Sequence, residues 1–116
     1  MTPHATPGRH VLADFRGVSA DRLTDVQALE RDLIAAAQAA GAHVLSAHFH
    51  HFGDGAGVTG VVLLSESHIS IHTWPEHAFA ALDIFMCGAA RPELALEHLR
   101  ARLAPEAVHA TTVARG

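Results

Sequence analysis
The residues able to do chemistry crowd into one stretch, Leu64 to Gly88. Ser65, Glu66, Ser67, His68, Ser70 and His72 fall within eight residues, Trp74-Pro75-Glu76 follows, and Cys87 is the only cysteine. Hydroxyl, imidazole, carboxylate and thiol are the groups that attack carbonyls and move protons near neutral pH. Alternate side chains of a strand share a face, so His68, Ser70 and His72 point one way and Ser67, Ile69 and Ile71 the other. Apolar runs lie on both sides, Val58 to Leu64 and Phe79 to Met86. Packing alone does not call for so many polar groups between them.

Three chemistries can be weighed on these residues. A Ser-His-acid hydrolase would carry a Gly-x-Ser-x-Gly elbow, whereas Ser67 lies in Ser-Glu-Ser-His. A metal centre could draw on His48, His50 and His51 with His68 and His72, because His48 and His50 share one strand face and His68 and His72 another. Their spacing matches no strong zinc pattern, so no metal is expected, and most of the eleven histidines are read as ordinary surface or core residues. The glycine-rich Gly53-Asp54-Gly55-Ala56-Gly57 has neither the Lys-Ser/Thr ending nor the following helix of a phosphate-binding loop; it is a turn.

The elements that must position these groups follow from periodicity and breakers. Met1 to Gly8, with two prolines and no period, is a loose lead-in. Arg9 to Phe15 is a short strand ended by Gly17. Thr24 with Gln27 has the form of a capping box, and Val26, Leu29, Leu33, Ile34 and Ala37 predict an amphipathic helix to about Ala40, stopped by Gly41. His43 to Phe52 is a second strand, and β-branched Val58 to Leu64 a buried third. His68 to Thr73 is a fourth, broken by Pro75, and Phe79 to Cys87 a fifth. Pro92 and Glu93 open a second helix with Leu96, Leu99 and Leu103 as its stripe and Pro105 as its stop. Ala107 to Ala114 is the last strand. The order β-α-β-β-β-β-α-β predicts an α+β fold, a two-layer sandwich of a mostly antiparallel sheet with two helices on one face.

No repeat or linker divides residues 1–116, so one domain is expected. Helices on one side leave the other sheet face open. The apolar content, 49%, exceeds what one covered face needs, so a face-to-face homodimer is expected. The net charge of −4 and the lack of Lys argue against a nucleic-acid partner. No run of eighteen apolar residues and no signal-like start point to a membrane, and a single cysteine suits a reducing cytoplasm.

The run Ser65-Glu66-Ser67-His68-Ile69-Ser70-Ile71-His72-Thr73-Trp74-Pro75-Glu76 resembles the signature of the short prokaryotic S-adenosylmethionine decarboxylase proenzymes, which depend on a pyruvoyl group. Asp83-Ile84-Phe85-Met86-Cys87-Gly88 is similar to that family's downstream segment. The likeness extends to Gly8-Arg9-His10, to Phe49-His50 with Phe52, and to Val108-His109, and so covers most of the chain.

The resemblance implies a precursor that cuts itself between Glu66 and Ser67, giving a β chain of residues 1–66 and an α chain of residues 67–116. The Ser67 hydroxyl would attack the Glu66 carbonyl, and loss of the Ser67 α-proton would then leave a pyruvoyl group at position 67. His72 suits the base that takes this proton, and Thr59 stands where the family has an assisting serine hydroxyl. In the mature enzyme the S-adenosylmethionine amine would form a Schiff base with the pyruvoyl group and lose carbon dioxide, giving an aminopropyl donor for spermidine biosynthesis. Cys87 matches the proton donor, Phe52 the ring that stacks on adenine, and Glu76 the carboxylate on the ribose hydroxyls. Trp74 is taken as structural.

The chain departs from the family pattern near the pocket. The loop between Phe52 and Thr59 is one residue longer than usual, His77-Ala78-Phe79 replaces an aromatic-Gly-aromatic triplet, and Met86 replaces a frequent Thr. Two other readings stay open on sequence grounds. One is a sister pyruvoyl decarboxylase of ornithine or arginine, which would not need Phe52 and Glu76. The other is a non-enzymatic paralogue that is never processed.

Overall fold
The fold was determined as a computed structural model that describes residues 6–116; the start of the expected lead-in lies outside the described residues. The elements are β1 (Gly8–Arg16), α1 (Ala20–Thr24), α2 (Val26–Ala39), β2 (Val44–His51), β3 (Val58–Leu64), β4 (Ser67–Trp74), a 3-10 turn (Pro75–His77), β5 (Phe79–Cys87), α3 (Pro92–Leu103) and β6 (Ala107–Arg115). The strands form one sheet in the order β2-β3-β4-β5-β1-β6, with every neighbouring pair antiparallel. The expected two-layer α+β arrangement is borne out. Among the described residues the one element beyond the expected order, besides the 3-10 turn, is the short α1.

α1 explains why helix initiation differs from the expected capping box. Thr24 is the last residue of α1, and its hydroxyl donates back to the Ala20 carbonyl at 3.1 Å. The cap of α2 is therefore Asp25, whose Oδ1 accepts from the Ala28 N–H at 3.1 Å. Gly41, at φ +79°, ends α2 as expected, because only a residue without a Cβ takes that conformation freely.

The core lies between the helices and one sheet face. Leu29 and Leu33 of α2 and Leu99 and Leu103 of α3 are buried with Phe15, Ile69, Ile71, Ile84 and Met86 from the strands. Period-two alternation decides which side chains face this layer. β3 accordingly buries Val58, Gly60, Val62 and Leu64, whereas Leu63 is 41% exposed on the other side. The third strand, expected to be buried, is so at alternate residues, because an antiparallel sheet covered on one face buries only every second side chain.

The uncovered face carries His10, Leu12, Thr59, Leu63, His68, Ser70, His72, Trp74, Asp83, Phe85, Cys87 and Val113. Leu12, Leu63, Trp74 and Val113 are each about two-fifths exposed there. At its β3 end the sheet is anchored to α1 by Thr73, whose buried hydroxyl donates to the Leu23 carbonyl and accepts from the Val58 N–H, both at 2.8 Å. Removing the Asp25 side chain should cost about 1 kcal/mol. Urea denaturation of Asp25→Ala and Thr24→Ala checks this, with the larger loss expected for Asp25.

Candidate active site
Ser65 and Glu66 form the two-residue turn between β3 and β4, because Leu64 pairs with Ser67. The turn is tied down from three directions. The Ser65 N–H donates to the His43 carbonyl at 2.9 Å. The Glu66 carboxylate, 6% exposed as a residue, accepts from the His43 N–H at 2.9 Å and from His43 Nδ1 at 2.8 Å. The Glu66 carbonyl oxygen accepts from the Cys87 N–H at 3.1 Å and from Cys87 Sγ at 3.2 Å.

Burial pushes the Glu66 carboxyl up, but the hydrogen bonds from the His43 side chain and backbone more than offset this and hold it below the ordinary glutamate value. Ser67 follows at φ 142°, a positive value that a serine adopts only under constraint. A carbonyl with two donors on its oxygen, followed in the chain by a serine in a strained conformation, has the donor arrangement of an oxyanion hole next to a hydroxyl-bearing residue. The donors here would receive negative charge if the Glu66 carbonyl carbon were attacked.

A second cluster lies at the other end of β4. Thr59 and His72 pair across β3 and β4, with Thr59 Oγ1 at 3.2 Å from His72 Nδ1. They line a cavity of about 310 Å³ with Phe52, Gly57, Thr73, Trp74 and Glu76. Phe52 stands 62% exposed at the rim, edge-on to the His50 ring at 4.6 Å. Trp74, expected to be structural, is 40% exposed in this lining and stacks on Phe79 at 5.3 Å. The backbone passes so close at Gly57 that a Cβ there would sit 2.0 Å from the Thr73 carbonyl oxygen, which explains one glycine of the glycine-rich turn.

The sequence-derived site residues thus separate into two groups. Glu66, Ser67 and Cys87 are together, and so are Phe52, Thr59, His72 and Glu76. Ser67 and His72 are five strand residues apart, about 16 Å at roughly 3.3 Å per residue, and an odd separation points them to opposite faces. Within one chain, therefore, His72 does not reach the Ser67 α-proton. The missed residue is His43, which the sequence marked only as a strand start. Its signal is the register: Val44 pairs with Leu64, which places residue 43 beside the turn.

The five histidines weighed as a metal set do not converge. His48 contacts Ser46 and His51 contacts the Ala56 carbonyl, both at 3.2 Å, and His50 lies beside Phe52. His68 instead joins His10 around Asp83: His10 Nε2 and His68 Nε2 each bond one Asp83 oxygen, the latter at 2.8 Å. Such a trio has the composition of a metal set. However, Arg115, which can only donate, lies 3.3 Å from His10 Nδ1, so the His10 proton belongs on Nε2 facing Asp83. A ligating histidine needs the opposite arrangement, with a bare nitrogen toward the metal and its N–H toward an acceptor. The trio is better described as a hydrogen-bonded network at the centre of the open face.

The chain matches the family model described as S-adenosylmethionine decarboxylase over residues 9–116. It is 46% identical to the S-adenosylmethionine decarboxylase proenzyme of Brevibacillus brevis, over 97% of this chain and 85% of that protein. It is 44% identical to the proenzyme of Persephonella marina, over 96% and 84% respectively. The crystal structure of the adenosylmethionine decarboxylase from Aquifex aeolicus superposes with a TM-score of 0.88 at 39% identity, covering 96% of this chain and 92% of that one.

Burial raises the Asp83 carboxyl, but the hydrogen bonds from His68 and His10 lower it by more, so it lies below the usual aspartate value. A carboxyl depressed in the folded state stabilises the protein above its unfolded value of about 3.9, and this stabilisation fades as pH falls through the folded value. Thermal melts across the acid range should show Asp83→Asn losing less stability than the parent in that window.

Proposed function
The chain belongs to the S-adenosylmethionine decarboxylase family, and from that premise we propose that it matures by cutting its own Glu66–Ser67 bond and works as a homodimer whose sites are shared between two chains. It is an enzyme that decarboxylates S-adenosylmethionine, the reaction named for its relatives. The observation that carries the maturation step is the Glu66 carbonyl held by both donors of Cys87, directly before a serine at φ 142°.

In the proposed maturation, Ser67 Oγ attacks the Glu66 carbonyl carbon, and the Cys87 N–H and thiol receive the charge that develops on its oxygen. The Glu66–Ser67 C–N bond breaks as the ester forms, relieving the strain at Ser67. Removal of the Ser67 α-proton then expels the Glu66 carboxylate, leaving dehydroalanine. Water replaces its nitrogen, which departs as ammonia, and the α chain now begins with a pyruvoyl group. The two segments would be residues 1–66 and 67–116.

The base for that α-proton comes from a second copy. His72 is bonded to Thr59, but it is about 16 Å from its own Ser67. If two open faces meet about a twofold axis that reverses strand direction, the Glu66–Ser67 end of one sheet lies over the Thr59–His72 end of the other, and the same happens at the second site. The exposed Leu12, Leu63, Trp74 and Val113 supply apolar area for that contact.

The residues present suit the pyruvoyl group: a strained Ser67 to form it and a thiol beside it. Once formed, the group supplies an electron sink for the pair left behind when the substrate carboxylate departs. Cys87 then gives its thiol proton to the substrate carbon. Across the interface, the partner's Phe52 stacks on the adenine and the partner's Glu76 accepts from the ribose hydroxyls. The open cavity lined by Phe52, Trp74 and Glu76 suits a nucleoside rather than a plain amino acid such as ornithine or arginine.

Intact mass of the purified protein should give two fragments split between residues 66 and 67. Ser67→Ala should stay whole, and cleavage in that variant would overturn the assignment. Ser67→Ala and His72→Ala should each remain uncut alone. Co-expressed, they should yield cut His72→Ala chains, because the uncut Ser67→Ala partner provides His72; absence of cutting in the mixture would reject the shared site. Cys87→Ser keeps a donor near the Glu66 carbonyl and should mature, with carbon dioxide release from S-adenosylmethionine slowed roughly 100-fold.

A further inference from the structure
We infer that His43 is a positioning residue for self-cleavage, gripping the Glu66 side chain so that the scissile carbonyl stays against Cys87. The inference rests on the self-cleavage reading and adds to it a residue outside the run of chemistry-bearing side chains.

Three bonds join His43 to the turn, and they act on different atoms. The backbone N–H of His43 holds Glu66 Oε1 at 2.9 Å, its Nδ1 holds Oε2 at 2.8 Å, and its carbonyl accepts the Ser65 N–H at 2.9 Å. A two-residue turn has one easy failure, rotation of its central peptide units, and here that would swing the Glu66 carbonyl away from Cys87. Ser67 at φ 142° gives the turn a reason to relax in that way. With the Glu66 carboxylate fixed at both oxygens and the Ser65 N–H fixed as well, the Glu66 Cα is pinned from its side chain and from the preceding residue. The carbonyl oxygen is then left pointing at the Cys87 N–H and Sγ.

The His43 side chain has no packing role that would otherwise account for this placement. It is 78% exposed, against 8% for the Glu66 side chain. Its hydrogen bonds among the described residues all go to this turn. A carboxylate only accepts, so Nδ1 carries the proton, and the bond is charge-assisted. After cleavage Glu66 would be a chain end, and the same grip on its side chain would keep that end docked at Cys87.

The experiment is a time course of cleavage by intact mass for freshly produced wild type, His43→Ala, His43→Asn and Glu66→Gln, with a thermal melt of each. His43→Ala retains the backbone N–H and should cleave roughly three- to tenfold more slowly. It should melt somewhat lower, because the buried Glu66 carboxylate loses one donor, but should stay folded at the temperature of the time course. His43→Asn puts an amide N–H at the same number of bonds from Cβ as Nδ1 and should restore most of the rate. Glu66→Gln turns its own NH2 toward one of the two donors and should slow cleavage at least as much as His43→Ala. Wild type that never cleaves would sink the self-cleavage reading itself. Wild type that cleaves while His43→Ala keeps pace, or His43→Asn that fails to recover the rate, would overturn the role of His43 alone.

Discussion
The contact between the Glu66 carbonyl and the two donors of Cys87 depends on a register that spans three strands. β4 must leave the hairpin turn at Ser67, opposite Met86 of β5, for the next β5 residue to place its N–H and thiol under Glu66. A shift of one residue in that pairing would send Cys87 to the helix side and Met86 to the open face. The buried alternation of Leu82, Ile84 and Met86 beside Ile69 and Ile71 prevents this, since the shift would expose the core side of β5. The hydrophobic layer under the helices therefore fixes the geometry of a carbonyl on the sheet's edge. Core packing and site chemistry are coupled through backbone register.

The same sheet keeps its reactive groups apart. The strained serine and the thiol are at one end of β4, and the imidazole with its threonine partner is at the other. The His10–Asp83–His68 network lies between them, near the middle of the open face. A single chain thus holds the two groups of the proposed reaction centre at opposite ends of β4, out of reach of each other. In the proposed dimer, shared sites on a reversing twofold would turn that separation into a control: the proton-abstracting group would arrive only when two folded chains meet. The open face would then use both character types it displays, apolar side chains for the contact and polar groups that would find partners across it.

Most of the fold was legible because its signals are local. Strand alternation, the stripe of α2, Gly41 and Pro92 each act through neighbouring residues. α1 escaped because five residues carry too little periodicity to register, and its presence moved the cap from Thr24 to Asp25. The family motif gave the residue types of the site but not their grouping. That Ser67 and His72 sit on opposite faces follows from strand parity, yet the motif's compact spacing invites the assumption that they act together. His43 was illegible for a different reason: its role arises from strand pairing twenty-three residues away in sequence, which no window along the chain contains.

The departure at His77-Ala78-Phe79 has a structural account that bears on the substrate side. The 3-10 turn Pro75–His77, which carries Glu76, ends at Ala78 with φ 51° and ψ 35°, the left-handed conformation that glycine takes without strain. An alanine there is disfavoured by about 1 kcal/mol. It persists because the Ala78 N–H bonds the Pro75 carbonyl at 3.1 Å and the Ala78 carbonyl accepts from the Val18 N–H at 3.0 Å, tying the turn to the segment before α1. The consequence is a stiffer turn than glycine would give, since alanine has fewer alternatives in the unfolded chain and its carbonyl is already engaged. Glu76 is then presented from a backbone held at both ends, and the proposed grip on the ribose hydroxyls would owe its direction to Val18 as much as to the carboxylate itself.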